Sequence, residues 1–305
     1  MRRAAAALGL GLVLTLGVPS SAGASTTRPW LGWSTSEIAG IDATSTALGL
    51  RPGAISAYSP FDEPFPHEWA DSARGRGVPL VLAWEPWDWD RPTDADQPEY
   101  SLQSIANGTH DHYVHDWARA AAASNVTILL RFAPEMNGDW RPWSIGDTPE
   151  DFVQAWRHLH DLFQQDGVTN VRWAFNPNVE YPGSIPLKQF WPGARYVDWT
   201  AVDGYNWWGV KAGWPYQSVS AVFGATVAEL RALAPGMPMM IAECAAGPGA
   251  KRRWIQDLVR TAPTMGVRLV VWFEHDKETD WRMTTAHLPE PMPDLLRASD
   301  WRIPD

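Results

Sequence analysis

Residues 126–163 read VTILLRFAPEMNGDWRPWSIGDTPEDFVQAWRHLHDLF, and this stretch decides the fold class. Residues 126–132 form a short β-rich apolar run. Pro134 has no N–H to give a sheet ladder, so the run stops there. A polar segment follows. Thr148 is then placed to cap a helix, Pro149 takes its first position, and Asp151 closes a capping box. Phe152, Trp156, Leu159 and Phe163 repeat at helical spacing, which predicts an amphipathic helix over 148–163. A strand, a loop and a helix in that order form the unit of an α/β fold.

The same unit recurs on both sides. Further β-rich runs lie at 30–33, 54–58, 78–84, 171–175, 199–205, 239–243 and 267–273, with helical patterns between them. Eight strands alternating with helices predict one (β/α)8 TIM barrel. Residues 86–107 predict a long polar loop after the third strand, on the face where barrel enzymes keep their sites. No Pro/Ser/Gly-rich linker follows residue 30, so 25–305 is expected to be a single catalytic domain. Ahead of it, Met1-Arg2-Arg3 is basic, 4–18 is apolar apart from Thr15, and Ala22-Gly23-Ala24 is a small-x-small site. This predicts a secretory signal peptide over 1–24 and an extracellular mature chain. The apolar run is shorter than the roughly 20 residues that span a bilayer, so no membrane association is expected after cleavage.

A net charge of −10 argues against nucleic acid or an anionic membrane as partner. Cys244 is the single cysteine, which excludes an intramolecular disulfide, and no Cys/His set has zinc-ligand spacing. No metal and no cofactor is expected, and the chain is expected to act as a monomer. The informative excess is tryptophan, 20 of 305 residues. Indoles offer a flat rigid surface to the C–H faces of sugar rings, although about half are expected to fill the core.

The predicted fourth strand ends on Glu135, and the seventh, 239–242, ends on Glu243. Carboxylates at the C-terminal ends of barrel strands read as catalytic before they read as structural. Two of them facing across the mouth suit glycoside cleavage with retention. One acid protonates the leaving oxygen while a carboxylate about 5–5.5 Å away attacks the anomeric carbon. Such a pair needs unlike surroundings, one raising and one lowering the pKa. Strand alternation turns Arg131 and Glu135 inward together, and Asp203 with Tyr205. A buried Arg131 needs a partner, which is Asp203 or Glu243. The Tyr205 hydroxyl is placed to donate to Glu243.

The block Arg131-Phe132-Ala133-Pro134-Glu135-Met136-Asn137-Gly138-Asp139-Trp140 resembles the acid/base motif of glycoside hydrolase family 26. Further similar segments follow in order at 105–111 with Tyr113, 173–178, 197–199 and 203–207; Ile241-Ala242-Glu243 resembles the nucleophile strand. The resemblance covers 30–290 and implies a retaining endo-β-glycosidase. Glu135 would be its acid/base and Glu243 its nucleophile, with Tyr205 orienting the latter. Arg131, Asn137 and Asp203 would support the substrate site, and Trp140, Trp207 and Trp272 would frame the sugar. The implied substrate is a plant-type polysaccharide, β-1,4-mannan first. β-1,3-1,4-Glucan or β-1,3-xylan is the alternative within the family. A carbohydrate-binding barrel without catalysis is the alternative outside it. One departure stands out: the family usually carries His before the acid/base glutamate, and this chain has Pro134. The change removes one ground for carrying mannan specificity across.

Other features carry less. Glu85 and Trp87, in Trp84-Glu85-Pro86-Trp87-Asp88-Trp89, either touch sugar or pack the rim. Glu274-His275-Asp276 is a common surface pattern rather than a metal site, and His110, His112 and His115 do not share a helical face. Cys244 reads as a small buried residue.

Overall fold

The computed structural model describes residues 29–92 and 97–286, so the expected signal peptide at 1–24 lies outside the described residues. Eight parallel strands close into a barrel in chain order: β1 (Trp30–Ser34), β2 (Ile55–Pro60), β3 (Leu80–Glu85), β4 (Ile128–Phe132), β5 (Val171–Phe175), β6 (Trp199–Asn206), β7 (Met239–Ala246) and β8 (Leu269–Phe273). β8 pairs with β1 over five positions, from Trp30 with Leu269 to Ser34 with Phe273. All eight expected runs are strands, and the fold is the (β/α)8 barrel.

The surrounding helices are α1 (Ile38–Leu48), α2 (His67–Arg76), α3 (Leu102–Ala106), α4 (Asp111–Ala123), α5 (Pro149–Gln165), α6 (Val219–Leu233) and α7 (Lys251–Thr264). β5 returns to β6 through two 3-10 turns, Leu187–Gln189 and Ala194–Tyr196, instead of an α-helix. α5 starts as its sequence dictates. The Thr148 hydroxyl accepts from Asp151 N at 3.2 Å, and Asp151 Oδ2 accepts from Thr148 N at 2.9 Å. Its apolar stripe of Phe152, Trp156, Leu159 and Phe163 is buried. The expected loop over 86–107 is corrected in its second half, where a 3-10 turn (Pro98–Tyr100) leads into α3. Ser101 caps α3, and Leu102 and Ile105, three apart, bury its inner face.

Strand alternation divides the core into two parts. The barrel interior is narrow and filled by Ala54, Val81, Leu129, Ala174, Ala201, Met240, Ala242, Leu269 and Val271. The opposite faces of the strands pack against the helices in one larger cluster that holds most of the aromatic mass. Nine indoles are fully buried among the described residues, including Trp84 stacked on Trp117 at 4.4 Å. Truncating a buried indole costs about 3–5 kcal/mol. The interior layers close the bottom of the barrel and leave the C-terminal rim for polar groups.

Candidate active site

The first strand end that matters is that of β4. The strand stops at Phe132, and Ala133 and Glu135 then both take positive φ, 43° and 58°. Left-handed backbone costs a residue with a Cβ about 1–2 kcal/mol, so the turn must be held from outside. Ala133 N donates to Trp84 O at 3.0 Å, and Glu135 N donates to Asn176 O at 2.8 Å. Trp143 Nε1 donates to Pro134 O at 2.8 Å. The expectation that strand alternation carries through to Glu135 is therefore corrected: a tight turn sets its direction. Gly138 completes the bend, because a Cβ there would meet the Trp140 ring at 2.7 Å.

β7 uses a different device. Val202 pairs with Ile241, but the next pair is Asp203 with Glu243, and Ala242 is skipped. Met240 and Ala242 both face the barrel interior, so strict alternation would turn Glu243 outward to the helices. The bulge adds one residue and brings Glu243 back inward.

Arg131, fully buried on β4, ties this end together. Its Nη2 donates to Asp203 Oδ2 at 2.6 Å and to Glu243 Oε1 at 2.8 Å, and its Nε donates to Asn176 Oδ1. Tyr205 donates its hydroxyl to Glu243 Oε2 at 2.7 Å. Burial pushes the Glu243 carboxyl up, but the Arg131 charge and the hydrogen bonds from Arg131 and Tyr205 outweigh it, so the pKa lies below the ordinary value. Burial pushes Asp203 well above its ordinary value against the pull of Arg131.

Glu135 has the opposite surroundings. Its Oε2 accepts from Trp140 Nε1 at 2.9 Å and from Arg141 Nε at 3.5 Å. No hydrogen bond from another described residue reaches Oε1. Burial raises its pKa, Arg141 opposes that rise, and the Glu243 charge adds to it. The two carboxyl groups open into one cleft of about 1520 Å³ at the C-terminal mouth.

Among the described residues seven indoles line that cleft: Trp69, Trp87, Trp89, Trp140, Trp207, Trp214 and Trp281. Tyr205 and Glu85 line it as well. The sequence places Trp140 and Trp207 at the sugar, and both border the cleft. Trp272 does not. It is fully buried behind β8, packs on Trp254 of α7 and donates to Trp281 O at 2.9 Å. On β8 it is Phe273, one residue on, that faces the cleft. Arg131 and Asp203 lie wholly beneath the cleft floor, without access to substrate. Asn137 is also corrected: its side chain is spent on Asn178, donating to O at 2.9 Å and accepting from N at 2.8 Å.

Several residues escape a reading of the sequence. Arg141 stands between Glu135 and Glu85, and Asn176 holds both Arg131 and the Glu135 backbone. His275 stacks on Phe273 at 4.1 Å, and burial lowers its pKa to about 4, so it is neutral at the cleft wall. A polar residue ending a barrel strand is the signal that could have found Asn176. Among the described residues no three His, Cys, Asp or Glu side chains converge as a metal site, and no helix is long and apolar enough to cross a membrane.

The model of glycosyl hydrolase family 26 matches residues 80–246, a span holding both glutamates and the network beneath them. The chain belongs to glycosyl hydrolase family 26. Endoglucanase H of Acetivibrio thermocellus is 34% identical over 271 residues, covering 84% of this chain and 28% of that protein. The chain thus spans less than a third of that relative's length. Mannan endo-1,4-β-mannosidase A and B of Caldalkalibacillus mannanilyticus is 33% identical over 91 residues, 27% of this chain and 17% of that one. Among solved structures, a family 26 β-mannanase from Bacteroides ovatus superposes with a TM-score of 0.62 at 16% identity, covering 91% of this chain and 90% of that one. A family 26 protein from Muricauda sp. gives 0.63 at 19%, over 88% and 90%. At such identity these two likenesses establish the barrel alone.

Proposed function

We propose that the cleft is the active site of a retaining endo-β-glycanase, with Glu135 as acid/base and Glu243 as nucleophile. The observation that carries this reading is the contrast between the two carboxyl groups. Both oxygens of Glu243 are held by donors, Arg131 and Tyr205, that favour the anion. Glu135 is buried against indole with one oxygen free and its pKa raised. In the first step a Glu243 oxygen attacks the anomeric carbon, and the proton on Glu135 passes to the leaving glycosidic oxygen. In the second, water attacks the glycosyl-enzyme ester, gives its proton to Glu135, and Glu243 leaves as carboxylate. The indoles hold the sugars on either side of the cut. With the signal peptide read at 1–24, the enzyme acts outside the cell as a monomer on plant-type polysaccharide.

β-1,4-Mannan is the first substrate, in keeping with the mannosidases among the relatives. Two observations favour mixed-linkage β-glucan as a second reading. The relative matched over most of the chain is named an endoglucanase, and Pro134 stands where the family usually carries His. Reducing-sugar release from mannan, galactomannan, mixed-linkage glucan and β-1,3-xylan separates these, beside Glu135→Ala and Glu243→Ala. Proton NMR of the first product reads the anomer. Release of the β-anomer by the native chain, lost in both variants, supports the reading. Binding of a polymer with no release, or full activity in either variant, overturns it.

A further inference from the structure

A third buried carboxyl group stands at the cleft, and the two steps above leave it without work. Glu85 closes β3, is 3% exposed and spends Oε2 on two indoles, Trp87 Nε1 at 3.1 Å and Trp89 Nε1 at 3.0 Å. Its other oxygen faces Arg141, with Nη1 to Oε1 at 4.0 Å. The opposite side of the same guanidinium faces Glu135, with Nε to Oε2 at 3.5 Å. Neither contact is a closed fork of the kind Arg and carboxylate make at 2.7–2.9 Å. The guanidinium therefore stands between two acids with both pairs open.

We propose that Arg141 and Glu85 act together as a positioning pair that keeps Glu135 in one orientation and lets its charge change between the two steps of cleavage. The inference rests on the acid/base reading of Glu135. Arg141 and Trp140 both hold Oε2, so the transferable proton is confined to Oε1, the oxygen without a donor. While Glu135 is protonated, Glu85 takes the larger share of the Arg141 charge. When the proton leaves for the glycosidic oxygen, the new carboxylate draws the guanidinium toward itself by closing a gap of less than 1 Å. When water returns a proton to Glu135, the guanidinium relaxes toward Glu85. No atom is exchanged by Arg141 or Glu85 in either step. The charged and titratable groups around the pair are Glu85 on β3, Tyr58 on β2, Glu135 and Arg131 from β4, and Glu243 on β7. A cation placed between Glu85 and Glu135 keeps burial and the Glu243 charge from making Glu135 too weak an acid to release its proton.

The test is a carboxyl-carbon NMR titration of Glu135 in the full chain, assigned by its loss in Glu135→Gln, run beside the pH profile of kcat/KM. Losing the cation in Arg141→Gln disfavours the carboxylate, so the Glu135 titration and the alkaline limb both move up by about one pH unit. Arg141→Lys keeps the charge and moves both by less. Glu85→Gln leaves the charge of Arg141 to Glu135 alone, so both move down. Opposite movements in Arg141→Gln and Glu85→Gln are the signature a merely structural role does not give. An unmoved Glu135 titration in folded Arg141→Gln, or movement in the same direction in both variants, overturns the proposal. If the titration moves as stated while the alkaline limb does not follow, it is the acid/base reading of Glu135 that fails.

Discussion

The β7 end and the β4 end of the barrel both aim a glutamate into the cleft, and they do so by unlike means. Glu243 is turned inward by a bulge within a paired strand, and both its oxygens are gripped from below by Arg131 and Tyr205. Glu135 is turned inward by a left-handed turn beyond the strand, and only one of its oxygens is held, from the side. A group that must stay ionised and aimed is well served by a rigid ladder. A group that must take and release a proton needs a free oxygen and surroundings that do not favour one state too strongly.

On the proposed roles, the contrast is most sharply broken at Glu243. Glu243→Ala is expected to lose about 10⁵-fold or more in kcat, the scale on which covalent nucleophiles act. Azide should restore turnover with formation of the α-glycosyl azide, and a β product would exchange the two roles. Glu135→Ala is expected to lose about 10²–10⁴-fold on polysaccharide. It should lose far less in the glycosylation step of a dinitrophenyl glycoside, whose leaving group needs no proton, as read in the burst phase. Arg131→Met leaves Asp203 and Glu243 buried without their cation and should destabilise the fold by about 3–5 kcal/mol in urea titration. An unchanged midpoint would mean that the network holds without it.

Tyr205→Phe removes a donor to the ionised form of Glu243, so the Glu243 pKa rises and the acidic limb of kcat/KM moves to higher pH by about one unit. The alkaline limb should stay in place, since Tyr205 makes no hydrogen bond to Glu135. The smallest effect is on stability against pH. The depressed pKa of Glu243 contributes stability above the ordinary carboxylate range that is lost as pH falls through its folded value. The raised pKa of Glu135 contributes stability at low pH that is lost as pH rises through its folded value. Urea midpoints across pH should therefore flatten on the acid side in Glu243→Gln and on the alkaline side in Glu135→Gln.

The barrel was legible because strand and helix patterns are local. Thr148, Pro149 and Asp151 mark the start of α5 without help from the rest of the chain. The strand-end placement of the two glutamates held only in part: β4 stops at Phe132, three residues before Glu135, while β7 runs on past Glu243 to Ala246. Alternation also turned Arg131 and Asp203 inward together, and the structure joins them, whereas Glu243 reaches Arg131 through the bulge. Sequence reading failed where alternation is interrupted or where distant segments meet. The bulge at Ala242 leaves no mark in the Ile241-Ala242-Glu243 triplet, because register belongs to the pairing with β6. Trp272 looked like a sugar platform, yet it packs behind β8, and Phe273 faces the cleft. Asn137 looked like part of the sugar site and is instead a clasp between two loops. Arg141 follows Trp140 in the chain, but its partnership with Glu85 depends on β3 and β4 lying side by side.

That clasp has a consequence for building new enzymes from this scaffold. The loop after β4 is joined to the loop after β5 through Glu135 N to Asn176 O and the two Asn137–Asn178 bonds. The loop after β5 is joined to β6 in turn, with Val179 N donating to Asp203 O at 2.8 Å and Asp203 N to Pro177 O at 3.1 Å. Three stretches of chain apart in sequence are thereby held as one hydrogen-bonded unit. A chimera that exchanges residues 133–140 alone would cut across these hydrogen bonds, whereas one that carries 176–179 and Asp203 along inherits Glu135 with its support.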